Sequence, residues 1–153
     1  MISKAETVKK IRNLREAKAL VEKYRSLTVE KLSEAIDRFM YPNPTLLLVL
    51  SEITFFGSRA CTLCQRQYHD SGEKVLCSSC IFILNRSVND KEIDYNNKFY
   101  CTRQFTFKAI CDFGRVYATN IEDAVRAIRA RADYIEHLIE IAIENGAEKS
   151  QFE

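Results

Sequence analysis

A mainly α-helical domain carrying one inserted cysteine-rich segment is the fold class that this sequence predicts, on three observations. Only four Gly and two Pro occur in 153 residues, too few turn-formers for the many reversals of an all-β chain. Apolar residues recur at helical spacing towards both ends of the chain. Four of the six cysteines fall into two CxxC pairs between those helical stretches.

The elements follow in order. Ser3 and Glu6 have the spacing of a capping box. Leu14, Ala17, Val21 and Tyr24 then recur on one face, which predicts a first helix over 4–26. Thr28 is an N-cap for a second helix that turns Val29, Leu32, Ile36 and Phe39 inward and stops before Pro42. Asn43-Pro44 reads as cap and first helical residue of a third helix, with Gly57 at its end. The Leu46–Leu50 run makes this third helix apolar nearly all round, as a buried centre would be.

Beyond the cysteine pairs, alternation at Phe99, Cys101, Phe105 and Phe107 suggests a strand, while Phe107, Ile110 and Cys111 suggest a helix over 104–112. The helix is preferred because its neighbours are helical. Asn120 caps a final helix that runs to Asn145, with Gly146 beyond it. Its Val125, Ile128, Ala132, Ile135, Ile139 and Ala142 form a heptad seam of under three heptads. The chain thus divides into N-terminal helices (1–57), an insertion (58–101), C-terminal helices (102–147) and a frayed tail (148–153), all of one domain.

Charge narrows the function classes. The total of +2, with a pI of about 8.2, falls short of the excess expected of a dedicated nucleic-acid binder. Its distribution is uneven: ten basic against six acidic side chains in 1–40 give +4, and four against eight in 116–153 give −4. Those ends are expected to attract each other, within one molecule or between two. The first 25 residues are charged throughout, without the apolar stretch of a secretory signal, and Leu46–Leu50 is far too short to span a membrane. A cytoplasmic location is the expectation.

In a reducing compartment, cysteines at this spacing point to metal before disulfides. Cys61 and Cys64 precede Cys77 and Cys80 by a twelve-residue linker that contains Asp70, Ser71 and Gly72. Two thiolates two residues apart can turn towards one ion, and two such knuckles supply the four soft ligands of a tetrahedral zinc site. A single structural Zn²⁺ is therefore expected at Cys61, Cys64, Cys77 and Cys80. Short strands around it are compatible with the pattern. Iron remains an alternative for four thiolates, although Gln65 and Ile81 stand where rubredoxin-like knuckles carry Gly. Redox chemistry would need a thioredoxin-like βαβ setting that the sequence lacks. Cys101 and Cys111 form no knuckle and read as buried thiols; His69 reads as an exposed loop residue.

The pattern of an apolar helix, Gly57-Ser58-Arg59, the two cysteine pairs and then helices resembles small two-knuckle zinc-finger proteins found among phage and bacterial reading frames. The layout covers about residues 45–140, and only the cysteines are specific to it. The resemblance implies a structural metal and a phage or mobile-element origin. It implies no activity.

No catalytic residue is predicted. A four-thiolate site leaves no open position for water, and GxSxG, P-loop and dinucleotide fingerprints are absent from the sequence. His137 with Glu136 and Glu140 reads as a solvated helical face. Binding roles are left. Protein–protein interaction, as of a phage-type inhibitor or adaptor of a host protein, would use Phe82 and Leu84 with Ile128, Ile135 and Ile139 of the seam. Nucleic-acid binding would use Arg59, Arg66, Lys74 and Arg86, with Tyr68 stacking on a base. A basic face of Lys4, Arg15, Lys18 and Arg25 on the first helix would add to it. A third role is a structural subunit that forms homodimers through helix 120–145.

Overall fold

Helix–helix packing around one apolar core organises the chain in the computed structural model, which describes residues 3–56, 63, 80–85, 105–114 and 120–153. The regular elements among them are helical: α1 (Lys4–Lys10), α2 (Leu14–Arg25), α3 (Val29–Asp37), α4 (Leu46–Thr54), a 3₁₀ turn at Ile81–Asn85, α5 (Phe105–Gly114), α6 (Ile121–Glu144) and a 3₁₀ turn at Lys149–Phe152. The strand reading of 98–113 gives way to helix from Phe105 onwards.

The α6 helix is the spine. Its 24 residues extend about 36 Å at 1.5 Å each, and α2, α3, α5 and the Ile81–Asn85 turn all pack against it. Every residue of the seam, from Val125 to Ala142, is buried within the single chain. The seam packs inside the single chain. Opposite charge reinforces the α2–α6 pairing: Arg25 binds both Asp133, at 2.9 Å, and Glu136. Those two carboxylates, Glu136 first, raise the Arg25 pKa above its ordinary value. The attraction expected between the chain's ends thus acts inside one molecule.

Four local expectations need correction. The predicted helix over 4–26 is two helices, because Ile11 is extended (ψ 129°) and buried and Asn13 is not helical. The basic face supposed to run from Lys4 to Arg25 is therefore interrupted. The third helix is capped by Thr45, whose hydroxyl accepts from Leu48 N–H at 3.4 Å, and Asn43 takes a left-handed φ of 52°. A residue before proline is pushed out of the right-handed helical region, and asparagine tolerates the left-handed one. At the other end α4 stops on a left-handed Phe55, with Lys23 Nζ 4.3 Å from its ring centroid. The proposed cap Gly57 lies outside the described residues. Finally, the tail 148–153 is not frayed. Gln151 Nε2 donates to the Val8 carbonyl at 2.9 Å, Arg15 reaches the Glu153 main-chain oxygen at 3.2 Å, and Phe152 packs on the core.

The caps at Ser3, Thr28 and Gly146 form where the sequence places them, whereas Asn120 precedes α6 without a side-chain cap bond. Ser3 and Glu6 complete a reciprocal capping box, and Thr28 accepts from Lys31 N–H at 3.1 Å. After α6, Gly146 N–H bonds Ile143 and Ala147 N–H bonds Ala142, the paired hydrogen bonds of a Schellman ending around a glycine at φ 95°. Among the described residues no helix is long and apolar enough to cross a membrane.

Candidate metal centre

Cys80 is the ligand candidate that the described residues contain; Cys61, Cys64 and Cys77 lie outside them, as do any short strands there. It is buried at the start of the Ile81–Asn85 turn, where Ile81, Phe82 and Leu84 enter the core. Leu63, inside the first cysteine pair, is buried in the same core cluster. Both CxxC motifs therefore have an anchor on the helical body.

The Cys80 sulfur has a defined neighbour. Asn13, fully buried at the α1–α2 junction, directs Nδ2 to Cys80 Sγ at 3.2 Å, while its Oδ1 accepts from Ile81 N–H at 2.9 Å. The main-chain N–H can only donate, so the amide oxygen must face it and the NH₂ must face sulfur. Asparagine at a helix start ordinarily turns back to cap its own helix. Asn13 makes no such cap bond, because both ends of its amide are engaged 67 and 68 residues away. The amide thus aims a hydrogen-bond donor at the sulfur, and the thiolate is the form in which cysteine binds metal. Of the four expected donors the described residues contain Cys80, a soft sulfur ligand of the kind that suits a soft divalent ion. Among the described residues no group of three or more His, Cys, Asp or Glu could hold one.

A second polar residue is buried beside this segment. Arg131 on α6 is 2% exposed, donates to Thr106 Oγ1 at 2.9 Å, and stacks on Phe82 with 4.4 Å from guanidinium carbon to ring centroid. The rings of Phe107 and Tyr134 stand 5.6 Å from it. Burial pushes the Tyr134 phenol up to about 12, with the Arg131 charge opposing.

Sequence reasoning missed both residues. Arg131 sits three positions after Ile128 and four before Ile135, which places it on the apolar face; that spacing was the signal. For Asn13 the signal was weaker: an amide residue in a helical stretch, of the kind that competes with helical bonding.

The other candidates divide clearly. Phe82, Leu84, Ile128, Ile135 and Ile139 are all buried in the core of the single chain, where they serve packing. Arg59, Arg66, Tyr68, Lys74 and Arg86 lie outside the described residues, as do His69 and Cys101. Cys111 is half-buried on α5, and His137 is exposed on α6.

No protein-family model, curated protein or solved structure matches the chain. A functional reading therefore stands on its residues alone.

Proposed function

We propose that the chain is a non-enzymatic zinc protein that acts by binding another protein, as a phage-type inhibitor or adaptor would. The cysteine spacing supports the metal, with Cys61, Cys64, Cys77 and Cys80 as ligands of one structural Zn²⁺ and the knuckle as an insertion in the helical domain. The single observation that carries the reading is the buried Asn13 amide, which fastens Cys80 and Ile81 to the α1–α2 junction. A segment held in this way, with an ion in place of a core of its own, is a rigid feature suited to recognition.

A protein partner is favoured over nucleic acid by the described surface. Arg25 is engaged by two carboxylates, Arg15 holds the tail, and the helical break divides the basic face. Met40 and Tyr41 after α3, and Leu48 in the first turn of α4, instead expose large apolar side chains, with Met40 at 83%. A homodimer through helix 120–145 is not part of the proposal, because the seam is already buried.

The test begins with metal analysis of the purified chain, which should hold one zinc. Tagged chain immobilised in native extract should then retain a stoichiometric protein at about 0.5 M salt, and that protein should bind again when purified. The Cys77→Ala chain should not retain it. Retention that collapses with salt and is abolished by nuclease would replace this reading with nucleic-acid binding, since phosphate contacts release counterions.

A further inference from the structure

We propose that Asn13 is the outer-sphere positioning residue of the metal centre, with its amide holding the Cys80 thiolate in ligand orientation. The inference rests on the four-cysteine reading above and adds to it a residue that the CxxC pattern does not contain.

Three observations carry it. First, the orientation of the amide is fixed: Ile81 N–H occupies Oδ1 at 2.9 Å, which commits Nδ2 to Cys80 Sγ at 3.2 Å. Secondly, the contact lies inside the fold: Asn13 is fully buried and Cys80 is buried. Thirdly, the chain is shaped around the contact. The helical pattern breaks at Ile11–Asn13, and Asn13 gives up its own capping bond to reach the cysteine. A sulfur that receives an N–H from a fixed side chain cannot rotate freely. Outer-shell partners of metal ligands orient them in this way, and losing one commonly weakens metal binding about 10–100-fold.

The same geometry links the centre to the far end of the chain. Two residues before Asn13, the Ile11 carbonyl accepts from Gln151 Nε2 at 3.4 Å. The junction clamped to Cys80 on one side therefore carries the C-terminal turn on the other.

Asn13→Asp separates the two halves of the amide. It keeps the acceptor for Ile81 N–H and replaces the donor with an oxygen that cannot donate when ionised. Competition for zinc against a chromophoric chelator should show N13D binding about 10–100-fold more weakly than the wild type. The cobalt-loaded variant should have a shifted thiolate-to-metal absorption band, a readout that a purely structural role would leave unmoved. A complementary measurement avoids mutation: in wild-type chain loaded with NMR-active cadmium, a side-chain amide proton of Asn13 should couple to the metal through the N–H···S bond. If the Cys80 β protons couple to cadmium and the Asn13 amide proton does not, the proposal falls. It also falls if N13D binds zinc as tightly as wild type with an unshifted cobalt band. Wild-type chain that takes up no zinc would instead overturn the four-cysteine reading itself.

Discussion

Arg131 lies across the face of Phe82, 4.4 Å from guanidinium carbon to ring centroid, and this joins the longest helix to the turn that follows Cys80. A guanidinium at 2% exposure is costly to bury, and stacking and the bond to Thr106 offset part of that cost. Arg131→Ala should lower stability by about 3 kcal/mol, since it removes buried volume as well as the stack. Arg131→Lys should not restore it, because an ammonium lacks the planar fork. Urea unfolding of the three chains checks both expectations. Equal midpoints would show that the stack contributes nothing.

Cys77→Ala should abolish stoichiometric zinc and lower Tm, while the far-UV helical signal is largely kept, because α2 and α6 have their own core. Chelation of the wild type should reproduce the mutant's Tm. Metal content and melting unchanged by the substitution would remove Cys77 from the ligand set.

Gly146 ends α6 at φ 95°, and a Cβ built there would meet no atom within 4 Å. Gly146→Ala should therefore cost about 1 kcal/mol for backbone conformation alone, with no steric part. Gly146→Asn should cost less, because asparagine tolerates left-handed backbone. Denaturation midpoints that rank Gly above Asn above Ala would bear this out.

Tyr134 predicts an alkaline limb. Its hydroxyl is buried and has no hydrogen-bond partner among the described residues, and burial pushes the phenol from its ordinary value near 10 up to about 12. A group raised on folding contributes stability that is intact below the unfolded pKa and is lost as pH rises through the folded one. The stability difference between wild type and Tyr134→Phe should thus be flat up to about pH 10 and move against the wild type between about 10 and 12. Urea midpoints of both chains across that window test it. A difference that stays flat to the alkaline end would refute the shift.

Much of the helical body was legible because period and caps are local signals. Ser3, Glu6, Thr28 and Gly146 act within one turn of themselves, and the seam from Val125 to Ala142 needed only counting. What stayed hidden was set by distant groups. Nothing within four residues of Asn13 says that Cys80 and Ile81 will claim its amide, so the local pattern continues as helix straight through the break. The tail looked loose for the same reason: Gln151 is an ordinary polar residue until the Val8 carbonyl stands opposite it. At Asn43-Pro44 two local signals competed, and the Thr45 hydroxyl won the cap. For the proposed metal centre, the cysteine spacing is legible in the sequence, while the contact between Asn13 and Cys80 is not.

Leu63 is two residues from Cys61 and next to Cys64, and its side chain is buried without residue in the core that also receives Ile81. Apolar docking can therefore seat Leu63 and the Cys80–Ile81 step on the helical body without an ion. An ion that binds there would complete a partly assembled site and would not have to drive the search of an open chain. Uptake should then be fast and first order in metal, and a Leu63→Ala chain should load slowly even where its final affinity is little changed.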